Sequence, residues 1–306
     1  MIRFIVRRLF SGLLVMLLVT VTVFFVTRKL TDPVRVMLPL SATQEDYDRL
    51  EASLGLDKPL LQQFRTFLGD VVQLDFGVSF WQGTDALELV LDRLPATFLL
   101  VAASMFLAIV VFIPLGIAAS LRPGGWLDRV LVSISLFGLS MPQFWLGAML
   151  IWVFSVRLGW LPTSGSGSTK HIILPAVTLA STSGGRIAQI TRSSMIDQLN
   201  RPYVNTLRAK GMRPSWVLFR HVLRNAAVPI TTLTAYEAAF ALAGYAVIVE
   251  TVFAWPGMGR LAIQAVNQRD IILLQAVVFV AASLIVATNI LADILYKVID
   301  PRVRLA

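Results

Sequence analysis

The sequence predicts an all-α membrane protein with six transmembrane helices and a small extracytoplasmic segment after the first of them. Composition, the clustering of apolar residues and the placement of charge predict it together. Of 306 residues, 56% are hydrophobic and 15% charged, whereas a soluble domain has about 45–50% and about 25%. The apolar excess is gathered into runs near the roughly 20 residues that one helix needs to cross a bilayer core. The net charge of +9 is segregated by segment: eleven acids and five bases between Leu30 and Arg93 make that stretch −6, which leaves +15 for the rest. Such alternation follows the positive-inside rule and does not build a single basic face for nucleic acid.

Leu9–Val26 is the first uncharged apolar run, preceded by Arg3, Arg7 and Arg8. It exceeds the length of a signal-peptide core, and Thr27-Arg28-Lys29 follows in place of a small-residue cleavage site, so the run is read as a retained span. The Arg7-Arg8 pair has only a faint likeness to a twin-arginine export signal. Further runs lie at Leu94–Leu121, Val130–Val156, Ile172–Ile190, Val228–Val249 and Leu273–Tyr296. The fourth is the weakest, because Pro175 and Ser181-Thr182-Ser183-Gly184-Gly185 interrupt it. Neighbouring helices can satisfy backbone groups freed by such residues.

Orientation follows from lysine and arginine. The N-terminus, the stretch Arg192–Arg224 and the C-terminus with Lys297, Arg302 and Arg304 are all basic, and six spans place all three on one side, the cytoplasm. The expected organisation is residues 1–29 as N-terminus and first helix, 30–93 as the extracytoplasmic segment, and 94–306 as a five-helix core. A cytoplasmic loop at 192–227 interrupts that core.

The enzyme classes fail on residue type and spacing. With no cysteine there is no disulfide framework, thiolate metal site or cysteine nucleophile. Ser164–Lys170 has the composition of a phosphate loop without its Gly-Lys-Ser/Thr ending, and it falls on the side away from ATP. His171 and His221 lie too far apart in the topology to share a metal, so no metal or cofactor is expected in this chain. Glu237 is the one acid near the middle of a span. It is either a hydrogen-bonded glutamate packed between helices or a residue lining a transport cavity. Asn289, Asp293 and Lys297 share one helix face near the cytoplasmic interface, as a structural pair with a neighbour.

The basic stretch holds a short helix ending at Gly211, a residue suited to stop it. A second helix is expected over Ser215–Asn225, with Pro229 opening the fifth span. Spacing alone leaves two readings of this pair: a rigid element that inserts into a soluble motor, or a basic loop that only sets orientation.

Tyr203–Gly211 (Tyr-Val-Asn-Thr-Leu-Arg-Ala-Lys-Gly), followed by His221, Asn225 and Pro229, resembles the cytoplasmic "EAA" loop of ABC importer permeases of the dipeptide/oligopeptide class. The resemblance continues through Leu54–Leu60, Asp75–Ser79, Met141–Gly147, Leu174-Pro175-Ala176, Glu250–Leu261 and Asp300-Pro301-Arg302. These motifs stand in order and on the appropriate sides of the six spans. Asn205-Thr206-Leu207 replaces the Glu-Ala-Ala of the wider superfamily, as peptide-class proteins commonly do, and the Pro-Gly-Asp that often follows the first span is missing.

The resemblance implies a type I ABC importer permease fold and a non-catalytic subunit that forms half of a peptide translocation path. Its partners would be a second permease, two ATP-binding cassette subunits that hold ATP and Mg, and an extracytoplasmic substrate-binding protein. Asn205, Thr206, Leu207, Arg208, Ala209, Lys210 and Gly211 would couple to an ATPase. Thr234, Glu237 and Tyr245 are candidates for the path, while Phe253 and Trp255 either line an outer gate or anchor the external loop. Similar permeases serve nickel chelates, glutathione or opine-like solutes. An ion-coupled secondary transporter is the alternative class, although no internal repeat supports it. A membrane scaffold would leave the ordered motifs unexplained.

Overall fold

A computed structural model describes residues 2–30, 34, 35, 38, 42–53 and 55–299. Leu54 and Asp300-Pro301-Arg302 lie outside them, as do the side chains of Tyr245, Asp293 and Lys297. All elements of the described residues are helices joined by turns and loops, and their one β feature is an isolated bridge, Val78 to Asp85.

The chain divides into two compact units, Met1–Pro95 with Gly257–Val286, and Ala96–Pro256 with Ala287–Ala306. The first unit contains α1 (Ile2–Leu30), α2 (Gln44–Ser53) and α3 (Leu60–Val72). It also takes the start of α4 (Ala86–Ser120) and, from the end of the chain, α11 (Met258–Asn267) and most of α12 (Ile271–Ile299). Thr43 and Asp46 open α2 with a reciprocal cap: the Thr43 hydroxyl and amide both donate to the Asp46 carboxylate, at 2.7 and 3.0 Å. These bonds hold the Asp46 carboxyl below its usual pKa. Phe24 of α1 stacks on Phe67 at 5.1 Å and meets Phe64 at 5.3 Å, joining the first span to α3. Val71, Phe76, Val90, Leu261, Leu273 and Val277 form the core of this unit.

The second unit is built around α7 (Ile173–Leu199), which packs against α4, α5 (Trp126–Ser140), α6 (Gln143–Arg157) and α9 (Leu223–Phe240). Glycine allows this crowding. A β-carbon on Gly184 would lie 2.4 Å from the Phe112 ring, and one on Gly116 would lie 2.7 Å from the Ala188 carbonyl. Small residues bring membrane helices to such separations. The α7 hydroxyls turn back on their own helix: Thr178 to Leu174 O, Ser183 to Leu179 O and Thr191 to Ile187 O. The hydroxyls are thereby satisfied within the helix, and the polar Ser181–Gly185 stretch is helical.

Three helical stretches are long and apolar enough to cross a membrane: Arg7–Arg28, Ala86–Ser120 and Ile271–Leu291. The α5–α6 pair, bent by 107°, passes the same test only when its two helices are taken together, as a broken span or a re-entrant loop. The run Val130–Val156, expected as one span, is thus two helices. Met141 and Pro142 are both extended, because a residue before proline avoids the helical region. α7 and α9 fall short of the same test, as Arg186, Arg192 and the hydroxyls of α7 lower its apolar character. The helix expected over Ser215–Asn225 is not separate either. Pro214–Trp216 and a π-helical stretch, Val217–Val222, run directly into α9, which contains Pro229. Another π-helical stretch, Ala241–Tyr245, breaks the helix at Gly244 before α10 (Ala246–Val252).

Candidate functional site

α8 (Pro202–Ala209) is the short helix expected in the basic loop. Arg201 is extended ahead of it and Pro202 takes its first position, where a missing N–H costs nothing. It closes through Gly211 at φ 74°: the Gly211 N–H donates to Arg208 O at 2.9 Å and the Met212 N–H to Leu207 O at 3.3 Å. This paired closure uses glycine for the left-handed position.

One face of α8 is anchored. Val204 is fully buried against Met195, Val217 and Val222, with Tyr203, Leu207 and Met212 packed around them. The Tyr203 hydroxyl donates to Gln198 Oε1 at 3.1 Å and accepts from Asn225 Nδ2 at 3.2 Å. Two separated motif residues, Tyr203 and Asn225, thereby tie α8 to the end of α7 and the start of α9. The opposite face presents Asn205, Thr206, Arg208, Ala209, Lys210 and Gly211 to the outside, with Leu207 half-buried. His221 lies edge-on to Trp216 at 4.7 Å, and its Nε2 is buried without a partner among the described residues.

A second polar group lies between α7 and α9. Glu237 on α9 is buried and accepts from Arg186 Nη1 on α7 at 2.9 Å. Both line a small cavity with Gln143, Thr182 and Ser183. The Gln143 amide donates weakly to Thr182 Oγ1 at 3.4 Å, and its Oε1 is buried without a partner among the described residues. Arg186 and Gln143 were missed from sequence, although a lone basic residue inside the run Ile172–Ile190 was the available signal. Thr234, one turn before Glu237, bonds Ile230 O at 2.8 Å and does not line this cavity. Tyr245 has no described side chain to place. At the start of α5, Asp128 pairs with Arg192 of α7 and accepts the Gly124 N–H at 2.8 Å.

Phe253 and Trp255 are both buried in a core with Leu100, Leu174 and Leu179. Trp255 Nε1 donates to Ala96 O at 2.9 Å. Nearby, the fully buried Glu250 accepts from Thr97 Oγ1 at 2.7 Å. The Ser164–Lys170 loop docks here too, Gly165 N–H donating to Phe253 O at 2.8 Å.

The family described as "binding-protein-dependent transport system inner membrane component" matches residues 112–305, and its N-terminal counterpart matches residues 1–101. The chain belongs to this family. It is therefore a permease, the non-catalytic membrane component of an ABC importer and a multi-pass protein of the inner membrane. The permease is 37% identical over 312 residues to the oligopeptide transport system permease protein AppB of Bacillus subtilis (strain 168), covering 98% of both chains. It is 36% identical over 305 residues to the glutathione transport system permease protein GsiC of Escherichia coli (strain K12), covering 99% of both. Among solved structures, two inward-facing forms of the MetNI methionine ABC transporter match with TM-scores of 0.58 and 0.59 at 17% and 18% identity. Each covers 69% of the permease and 96% of the other chain, a likeness that shows the type I importer permease fold.

Proposed function

We propose that this permease forms half of the translocation path of an ATP-driven peptide importer. The observation that carries the reading is near full-length similarity to an oligopeptide permease, joined to a cytoplasmic helix built as a docking element. α8 is pinned on one face by Val204, Tyr203 and Asn225 and bare on the other, as an element must be to transmit force from a soluble motor. Its exposed residues Asn205, Thr206, Arg208, Ala209, Lys210 and Gly211, with Leu207, seat against one of two ATPases that bind ATP and Mg. A second permease completes the path and an extracytoplasmic binding protein delivers cargo. Six spans, with the bent α5–α6 pair as one of them, leave both termini in the cytoplasm. The external segment then spans about 30–93, followed by the five-helix core.

Closure of the ATPases moves α8, and the tie through Tyr203 and Asn225 passes that movement to α7 and α9. Those helices carry Arg186 and Glu237, whose pair borders the path; two discrete arrangements of such elements are what alternating access requires. Thr234 and Tyr245 remain path candidates by position on this segment. Burial of Phe253 and Trp255 supports an anchoring role for the external loop in preference to a moving gate.

Glutathione is the second substrate reading, favoured by the 36% identity to GsiC. The test is to purify the tagged chain gently from its own membranes, identify its companions and reconstitute them. ATP-dependent uptake of peptides that requires the binding protein supports the proposal, and uptake of glutathione alone selects the second reading. Transport by the lone chain driven by an ion gradient overturns both.

A further inference from the structure

A cavity distinct from the one at the Arg186–Glu237 pair is lined by residues of α1, α3 and α12. It lies wholly within the first compact unit, at the outer end of α1 and the start of α12, and has a volume of about 330 Å³. Arg28, Lys58 and Asp70 supply its charges, one more positive than negative. Its walls are mixed, with Phe67, Phe76 and Ile272 beside Gln63, Thr66 and Gln275.

Two hydrogen-bonding atoms here are left over. Arg28 Nε is buried with no partner among the described residues, as is Gln63 Oε1. Gln63 is not loosely placed: its Nε2 donates to both Leu56 O and Lys58 O at 2.8 Å, which fixes the side chain. Arg28 is held from one side by the Phe24 ring, 5.6 Å from Cζ. An ordinary interfacial arginine sends its head group out to water; this one lines a cavity, with its Nε shielded from solvent. A buried donor and a buried acceptor without partners are unusual, and each raises the question of what satisfies it.

Position says what kind of molecule can do so. Arg28 ends the apolar stretch Arg7–Arg28, and Ile271 begins the stretch Ile271–Leu291. The cavity therefore lies where two spans leave the hydrocarbon, at the depth of lipid head groups. We propose that it binds the head group of a glycerophospholipid, with the phosphodiester on Arg28 and Lys58. An ammonium or hydroxyl of the same head group then meets Gln63 Oε1 and Asp70. The volume is near the lower bound for ligand sites, which suits a head group whose acyl chains stay in the bilayer. A free phosphate offers the same charge but no apolar part for the Phe67 and Ile272 wall, so the lipid is the better match.

The test uses the purified permease complex and defined phosphatidylethanolamine in mixed micelles, read by native mass spectrometry after delipidation. Wild type is expected to retain one lipid that Arg28→Gln binds about tenfold more weakly, the loss of a charged hydrogen bond. Arg28→Lys should recover part of this affinity, and Gln63→Leu should weaken binding several-fold. Arg157→Gln, at an outer-facing arginine stacked on Trp152, should leave retention unchanged. Equal retention by wild type and a normally assembled Arg28→Gln overturns the proposal. Displacement of the lipid by millimolar inorganic phosphate also overturns it, in favour of a soluble-anion site. If Arg28→Gln does not assemble, unchanged retention in Gln63→Leu and Lys58→Gln overturns it instead.

Discussion

Asn225 donates its side-chain amide to the hydroxyl of Tyr203 at 3.2 Å, across 22 residues of sequence, and so joins α8 to the start of α9. The same hydroxyl donates onward to Gln198 at 3.1 Å. One phenol thus bridges the two helices that carry the Arg186–Glu237 ion pair. Tyr203→Phe keeps the ring in its apolar seat and removes only the bridge, a loss of about 1 kcal/mol per hydrogen bond. Complex assembly and ATP hydrolysis should persist while ATP-driven uptake falls several-fold. Asn225→Ala should do the same, and the double variant should be little worse than either, since both remove one connection. Uptake at the wild-type level in Tyr203→Phe would show that the bridge carries no force.

Gly211 closes α8 at φ 74°, and a β-carbon there would touch nothing within 4 Å. Substitution therefore strains the backbone, by roughly 1–2 kcal/mol, without an internal clash. Asparagine tolerates this conformation, so Gly211→Asn should insert, assemble and transport nearly normally. Gly211→Val adds strain and places a branched side chain on the exposed face. Its uptake should fall at least about tenfold at unchanged membrane abundance, the remaining difference reporting on the docking surface. Normal uptake by Gly211→Val would remove α8 as the coupling element.

Arg186 and Glu237 are paired at 2.9 Å with side chains 33% and 5% exposed. Removing one partner of a fully buried pair costs about 3–5 kcal/mol; exposure of Arg186 to a third of its surface lowers that to about 1–3 kcal/mol. Glu237→Ala and Arg186→Ala should each lower the thermal midpoint of the complex, and the double variant should be less damaged than the sum. Replacing both by leucine separates the two readings of Glu237, because a well-packed apolar pair often retains stability. A stable double-leucine variant with altered uptake KM places the pair on the path. A stable, fully active one assigns it to packing.

The uncharged runs of α1, α4 and α12 were legible because length and hydropathy alone decide a span. So was the end of α8, where one glycine sets the backbone. The 107° turn at Met141-Pro142 was hidden because the apolar run continues through it; only the restriction that proline places on Met141 betrays it. Arg186–Glu237 and Tyr203–Asn225 pair residues 51 and 22 positions apart. No periodicity connects such residues, and only the folded chain brings them together. The same holds for the cavity at Arg28, whose walls come from both ends of the chain.

Asp270 provides the last of these long-range ties and the most direct test of how the loop at residues 79–81 is held. It is 1% exposed, and its carboxylate accepts from Ser79 Oγ at 2.6 Å, Trp81 N–H at 3.1 Å and Leu273 N–H at 3.0 Å. One side chain therefore caps α12 and holds the loop that follows Asp75–Gly77. Asp270→Ala forfeits a cap of about 1 kcal/mol. It also strands the Ser79 hydroxyl and Trp81 amide at about 1–3 kcal/mol, so a loss of about 3 kcal/mol is expected. Asp270→Asn keeps one acceptor oxygen and should fall between. Because the contacts converge on residues 79–81, protease added outside intact spheroplasts should cut near that loop in Asp270→Ala and spare the wild type. Equal resistance in the two proteins would mean that the aromatic contacts of Phe24, Phe64 and Phe67 hold the segment without Asp270.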